Sequence, residues 1–287
     1  MILVTGATGA IGSLVVKQLS AQGVTVRALV RDMAKAEPLQ GKGVQLAQGD
    51  FDQPESLARA LDGVTSVFLL APPHPDAAGM NERFLDVATK IPTAPRIVRL
   101  SAIKATPHAP TDTTRNHATA DGALQDAGLP YVILRPNYFM QNILGSAASI
   151  LTSGQMFQGM GDGRIGFIDV RDIADVATAV LLDHSWDYGI YDLTGPASVS
   201  FHDVAGELGA ALGQAVQYVP VTPEAVRQSI VQMGWGEWAA EMMADYSAAY
   251  ARGWGDFTTT FVQKIAGHES RSIGQFAREV FVPALRR

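Results

Sequence analysis

Three glycines recur at three-residue steps near the start of the chain, Gly6, Gly9 and Gly12 in "VTGATGAIGS". The spacing is one residue longer than the Gly-x-Gly-x-x-Gly dinucleotide fingerprint, and the same physical logic carries over. Gly6 permits a sharp turn out of a strand, Gly9 lets the backbone approach a pyrophosphate, and Gly12 lets the next helix pack on a sheet. Amides of the first helical turn, Ala10 and Ile11 among them, then face the phosphates with the positive end of the helix dipole. Thr8 adds a hydroxyl donor. The loop follows an apolar run, opens an amphipathic segment and leads to a second run. In that context it reads as a nucleotide seat rather than a bare structural turn.

The second apolar run ends in "VRALVRDMAKA". Enzymes that use NAD place a carboxylate there to hold the ribose hydroxyls, whereas this chain has Arg31. A planar guanidinium pairs with a 2′-phosphate, and Lys35 stands one helical turn further on, so NADP(H) is favoured over NAD(H). The competing reading is a solvated charge cluster in which Asp32 partners Arg31. At the end of the third run, "QGDFDQ" offers Asp50 as acceptor for an adenine amine and Phe51 along the ring. A strand end with a helix cap is the alternative there, and Asp52 would suffice as that cap. Leu70, Ala71 and Pro72, after the fourth run, are counted with the same cofactor set.

Elements with two periodicities must position these residues. Short apolar runs at 2–5, 24–30, 44–47, 67–70, 97–100 and 131–134 lack side alternation, so they predict strands buried on both faces. Between them Ile11, Leu14, Val15 and Leu19 follow helical spacing with Gly23 as the terminator. "DQPESLARALDG" predicts a helix capped by Asp52, and "TRNHATADGALQDAG" predicts one ending at Gly128. The resulting fold class is α/β, a doubly wound parallel Rossmann sheet with a smaller, mainly helical C-terminal substrate lobe. The expected division is 1–185 for the NAD(P)-binding domain, with 137–160 contributing to the pocket, and 186–287 for the lobe. "YFMQNILGSAASIL" and "IDVRDIADVATAVLLD" predict helices, and "GQMFQGMGDGRIGF" a glycine-rich connection. "GIYDLTG" predicts a strand, and mostly helices follow from Ser200 onward.

Bulk composition narrows the partners. The chain has 287 residues and a net charge of −6 without a run of Lys or Arg, which argues against nucleic acid. It has no cysteine, so disulfides, thiolate catalysis and Cys-based metal sites are excluded, and no metal is expected. No stretch approaches the ~18 apolar residues of a membrane span. Residues 2–4 run straight into the glycine loop, so no leader is expected, and a cytoplasmic protein acting on a small molecule is the default. A homodimer is left open.

"VTGATGAIG", "ALVRD", "GDFDQPESLARALDGV", "LSAI", "GLPYVILRPNYFMQN" and "IDVRDIADVA" together resemble the NmrA-like branch of atypical short-chain dehydrogenases. That group includes NADPH-dependent quinone oxidoreductases, triphenylmethane reductases and NADP-sensing regulators with little or no catalysis. The resemblance implies fold and cofactor specifically and the reaction only loosely. Ordinary short-chain dehydrogenases use Tyr-x-x-x-Lys, in which the lysine lowers the phenol pKa. The alignment that the resemblance implies puts His117 at the tyrosine position and Asp121 at the lysine position, with Ser101 matching the serine that bonds the substrate oxygen. His117 and Asp121, four apart, share a face and could pair into a proton donor near neutral pH, or His117 could be a cap histidine without chemistry. Tyr138 is the other candidate acid.

The same resemblance implies that Pro136 and Asn137 wall the nicotinamide and that Phe139 and Met140 line the pocket. Trp235, Trp238, Met242, Tyr246, Tyr250 and Trp254 recur at helical steps. Lobe packing accounts for most of them, while Trp235 or Trp238 is expected over a flat substrate. Asp169, Arg171 and Asp172 are read as capping and ion pairing rather than catalysis. Loss of the Tyr–Lys pair points to acceptors that need no tuned acid, such as quinones and other conjugated electrophiles. A redox-sensing regulator and a carbonyl dehydrogenase with a non-standard acid are the alternatives.

Overall fold

A computed structural model describes residues 1–285. In chain order the first half runs β1 (Ile2–Val4), α1 (Ala10–Ala21), β2 (Val26–Val30), a 3₁₀ segment (Met33–Leu39), β3 (Val44–Gln48), α2 (Pro54–Leu61), β4 (Ser66–Leu69), α3 (Ala77–Ala88), β5 (Arg96–Leu100), α4 (Asp112–Asp126) and β6 (Tyr131–Pro136). The second half runs α5 (Ala147–Ser153), β7 (Gln155–Gln158), α6 (Val170–Leu182), β8 (Gly189–Leu193), α7 (Phe201–Leu212), β9 (Gln217–Pro220), α8 (Pro223–Gln232), α9 (Glu237–Ala251), α10 (Phe261–Ala266) and α11 (Ile273–Phe276). A π-helical turn over Ala277–Phe281 follows α11. No helix among the described residues is long and apolar enough to cross a membrane.

Seven strands form one sheet in the order β3-β2-β1-β4-β5-β6-β8, and the pairings from β3 through β6 are parallel. Every residue of β1, β4 and β5 is buried, as non-alternating runs between two helical layers require. Chain order reverses on either side of β1, which pairs with β2 and β4. That makes the carboxyl end of β1 the topological switch point, where open α/β sheets bind ligands. The loop Gly6–Gly12 leaves the sheet at that point. Leu3, Leu57, Leu61, Val67, Phe84 and Ile97 belong to the apolar cluster on one side of the sheet.

The chain forms two compact units. The first comprises Met1–His108, Thr114–Arg135 and Arg171–Asp192, and the second Ala109–Thr113, Pro136–Val170 and Leu193–Arg287. The chain passes between them several times, so no single boundary such as 185/186 separates them. The second unit contains a two-stranded parallel sheet of β7 and β9, in register from Gln155↔Gln217 to Gln158↔Pro220. Its α7 begins with a Ser200–Asp203 capping box, and α11 with one between Ser272 and Gln275.

Several local expectations change. Asp52 does not cap α2; Gln53 holds that position, and Asp52 accepts from Arg83 Nη2 at 2.7 Å. The predicted helix from Tyr138 is a 3₁₀ segment over Met140–Ser146 followed by the short α5. Backbone pairing is the reason: Met140 N donates to the Ile168 carbonyl and Ile168 N to the Tyr138 carbonyl, both at 2.9 Å. That ladder holds residues 138–139 extended. The segment predicted as a connection contains β7, whose hydrogen bonds come from β9.

Candidate active site

The glycine loop is built by close backbone approach. Gly6 has φ +60°, and a Cβ there would meet Leu70 Cγ at 3.0 Å. A Cβ on Gly12 would lie 2.3 Å from the Gly6 carbonyl oxygen, so only glycine lets α1 start this near the turn. Thr5 ties the loop to the neighbouring strand: its Oγ1 accepts from Leu70 N at 2.7 Å and donates to the Leu70 carbonyl at 3.0 Å. Leu70, which Ala71 and Pro72 follow in the chain, is thereby fixed beside Gly6. Gly9 is the N-cap of α1 and no side chain caps the helix. The first amides, including those of Ala10 and Ile11, have no intrahelical acceptor and remain available to an anion. Thr8 is exposed at the same turn. This cradle fits a pyrophosphate on its own geometry.

Arg31 and Lys35 are exposed beyond β2. Asp32 spends its carboxylate on the Ala34 amide at 3.0 Å as N-cap of the 3₁₀ segment. It does not partner Arg31, whose guanidinium has no hydrogen bond or ion pair among the described residues. Asp50 Oδ1 accepts from the Asp52 amide at 3.0 Å, and the Asp50 amide donates to Ser56 Oγ at 3.0 Å. Phe51 is buried, with its ring 6.0 Å from that of Phe84 in the core. Its expected place along an adenine ring is therefore corrected, because packing of α3 against α2 takes the ring inward.

At the ends of β5 and β6 lies a buried polar cluster. Arg99, 2% exposed, donates through Nε to Asn81 Oδ1 at 3.2 Å and through Nη1 to Asp121 Oδ1, and its Nη2 lies 3.3 Å from His117 Nδ1. Asp121 Oδ2 accepts from Ser101 Oγ at 2.9 Å and from Arg135 Nη2 and Nε at 2.8 and 3.0 Å. Two guanidiniums against one carboxylate leave one net positive charge. The expected His117–Asp121 pair is replaced, because two strand-borne cations outcompete an imidazole for the carboxylate. Burial, then Arg99 and Arg135, pull His117 from its ordinary 6.5 down to about 3, so the ring is neutral near neutral pH. It retains some accessible surface. Ser101 directs its proton to Asp121 rather than holding it ready for a substrate oxygen.

In the second unit the residues after β6 serve packing. Asn137, 2% exposed, accepts through Oδ1 from the Tyr138 amide at 2.8 Å and Tyr250 Oη at 3.1 Å, and donates to the Gly255 carbonyl at 3.0 Å. Its side-chain amide is thus engaged inside this unit, against the expectation that Asn137 walls the nicotinamide. Tyr138 is buried with edge-on contacts to Phe167, Phe201 and Tyr250. Its ring is enclosed by packing in this unit, against its candidacy as the acid, and burial pushes its phenol up to about 12. Pro136 is buried at the end of β6, and Phe139 is half-buried. Met140 and Phe167 floor a cavity of about 170 Å³ with Val199, Ile273, Asp203 and Glu207. Trp235 is 66% exposed before α9, whereas Trp238 is half-buried.

Sequence reasoning missed Arg99, Arg135 and Thr5. For the two arginines the signal was present: "RIVRLSA" and "VILRP" put them inside strands predicted to be buried on both faces, where a cation needs a partner.

Residues 6–184 match the family described as NAD(P)H-binding. The chain is 36% identical to an NAD(P)H azoreductase of Xenophilus azovorans over 97% of each chain. It is similar to the structure of an NADPH-dependent quinone oxidoreductase from Escherichia coli complexed with NADPH, with a TM-score of 0.89 and 26% identity over 98% of this chain and 100% of that one. A triphenylmethane reductase from Citrobacter sp., complexed with NADP(H), gives a TM-score of 0.87 and 26% identity, again over 98% and 100%.

Proposed function

This chain belongs to the NAD(P)H-binding family and is an NAD(P)H-dependent oxidoreductase, and from that premise we propose that it reduces quinones, azo compounds or related conjugated electrophiles with hydride from NADPH. The observation that carries the reading is the character of its two candidate acids. His117 faces the Arg99 guanidinium instead of a carboxylate, which keeps its ring neutral, and Tyr138 is buried against Phe167, Phe201 and Tyr250, so neither is placed as a proton donor. A simple ketone becomes an alkoxide on reduction and needs such a proton. A quinone that takes up hydride becomes a delocalised phenolate, and an azo bond becomes an anion that water protonates. When bound, the cofactor supplies two electrons and one proton as hydride. The protein's part is proximity and orientation. Azoreductase, quinone oxidoreductase and triphenylmethane reductase relatives are named for acceptors of this kind.

In this reading Gly6, Thr8, Gly9, Ala10, Ile11 and Gly12 hold the pyrophosphate. Arg31 and Lys35, exposed and without a side-chain partner among the described residues, hold the 2′-phosphate. Asp50 receives the adenine beside the Phe51 backbone, and Leu70, Ala71 and Pro72 flank the chain of the cofactor. A cytoplasmic location belongs to the same reading. The test follows NADPH oxidation with a quinone, an azo dye, a triphenylmethane dye and a simple aldehyde. Turnover of the first three with little of the aldehyde is expected. Tight NADPH binding without turnover of any acceptor would refute the reductase and favour a sensor. Arg31→Ala should weaken NADPH by roughly 10- to 100-fold, as loss of a charge-assisted contact implies, and leave NADH nearly unchanged. Equal losses would refute the 2′-phosphate assignment.

A further inference from the structure

We propose that His117 acts as a neutral hydrogen-bond donor to the electron-accepting atom of the substrate through Nε2–H, and that Arg99 is the positioning residue that fixes this tautomer. The inference deepens the reductase reading and rests on it for the identity of the acceptor. It differs from an acid: His117 polarises the acceptor without giving up its proton.

The geometry supplies the argument. A guanidinium is always a donor, so the Arg99 Nη2 contact at 3.3 Å makes His117 Nδ1 the acceptor. The neutral ring must then carry its proton on Nε2. Arg99 cannot turn away, since its Nε is held by Asn81 and its Nη1 by Asp121. Asp121 in turn is held by Ser101 and by both nitrogens of Arg135 that reach it. The partners come from α3 (Asn81), α4 (Asp121), β5 and the residue after it (Arg99, Ser101) and β6 (Arg135), so the tautomer is set by packing among four elements. Arg99 and Arg135 are the charges that act on the imidazole, and burial acts in the same direction. Asp192 and Lys104 lie further along the same network through Arg135 and Asp121. Protonation would put a third cation beside two, which is why the ring stays neutral.

Hydride uptake places charge on the acceptor's oxygen or nitrogen as the carbon–hydrogen bond of the dihydronicotinamide breaks. A neutral N–H held in one tautomer and donating to that atom stabilises the charge without a proton leaving the protein. The one proton that completes the reduced product comes from solvent. Hydride, proton and acceptor then balance to the two-electron reduced product and oxidised cofactor. The cluster also inverts the Tyr–Lys arrangement. There a helix lysine lowers the pKa of an acid; here two strand arginines remove the acid and leave a donor.

The test has a readout independent of turnover. In ¹⁵N-labelled whole protein, His117, identified by the signals lost in His117→Gln, should show a protonated Nε2 and an unprotonated Nδ1. The pattern should persist from about pH 7.5 to about pH 5, where an ordinary imidazole would have titrated. Adding hydroquinone with NADP⁺ should shift the Nε2–H proton. His117→Gln, which keeps a neutral N–H donor, should retain more kcat than His117→Phe, which should lose about 10²-fold as for other anion-stabilising donors. Arg99→Lys should mix the two tautomers; if that variant fails to fold, the wild-type spectra and the His117 pair decide alone. Titration of His117 near 6.5, an Nδ1–H tautomer, or an unmoved Nε2–H in the product complex would each overturn the proposal. Absence of turnover with an intact tautomer signature would instead sink the reductase reading and leave the Arg99–His117 assignment standing.

Discussion

Replacement of Gly12 by alanine tests the cradle most directly. The new methyl would stand 2.3 Å from the Gly6 carbonyl oxygen, 2.8 Å from its carbon and 3.0 Å from Ala7 Cα. All three atoms are backbone, so no side chain can rotate to make room. Ordinary contact begins at 3.4 Å, and 3.4 − 2.3 leaves the carbonyl to retreat by 1.1 Å. That carbonyl also accepts from Gly9 N at 3.0 Å, a bond the retreat would break. Loss of the bond costs about 1 kcal/mol, and overpacking of a tight interior adds about 1–3 kcal/mol. The better helix propensity of alanine returns about 1 kcal/mol. The net is a destabilisation of ~1–3 kcal/mol, or a fall of roughly 3–10 °C in Tm for a chain of this size. NADPH affinity should fall by more than tenfold besides, since the first amides of α1 move with the loop. Thermal unfolding without cofactor measures the first effect, and fluorescence titration with NADPH the second. Gly122→Ala in α4 is the control: its Cβ meets nothing within 4 Å, so it should stabilise by about 0.5–1 kcal/mol. A Gly12→Ala protein with wild-type Tm and wild-type NADPH affinity would refute the close-approach argument and the cradle with it.

Asp121→Asn leaves the buried Arg99 and the half-buried Arg135 without their shared anion, and chemical denaturation should report a loss of about 3–5 kcal/mol. A loss below about 1 kcal/mol would mean that the two guanidiniums are solvated rather than bridged. His117 also makes stability depend on pH. Its folded pKa of about 3 lies below the ordinary 6.5, so the unfolded chain binds the proton first. Stability is then fully present above about pH 6.5 and declines as pH falls, by ~1–2 kcal/mol at about pH 5. In His117→Gln that decline should vanish from urea curves at the two pH values. The exposed Asp183 and Asp203 carboxyls, also held low by hydrogen bonds, lose their share at lower pH in both proteins and cancel. Equal slopes in the two proteins would show that His117 titrates normally.

What was legible in the sequence follows the range of the forces involved. The Gly6–Gly12 loop could be read because the constraint on each glycine comes from atoms a few residues away, the Gly6 carbonyl above all. The sheet could be read because six runs without alternation have one way to bury both faces. By contrast β7 and β9 are four residues each and exist only through one another, some sixty residues apart. Tyr138 and Phe139 carry helical periodicity yet are extended, because the Ile168 backbone offers them partners that a helix would forfeit. Local pattern holds no record of either pairing.

The pairing expected for His117 failed for a more specific reason. Spacing of four on a helix makes His117 and Asp121 neighbours, and from α4 alone their pairing is the natural conclusion. The sheet order decides otherwise: β5 and β6 are adjacent, so Arg99 and Arg135 converge on the carboxylate that α4 lays over them. Once both guanidiniums bind Asp121, His117 loses its anion and gains a cation, which reverses the direction of its pKa. An Asp-paired imidazole is an acid near neutral pH, whereas an Arg-paired one is a fixed neutral donor. The difference separates a carbonyl dehydrogenase from a reductase of acceptors that find their own proton. It turns on two arginines, Arg99 and Arg135, that the sequence places inside strands predicted to be buried on both faces.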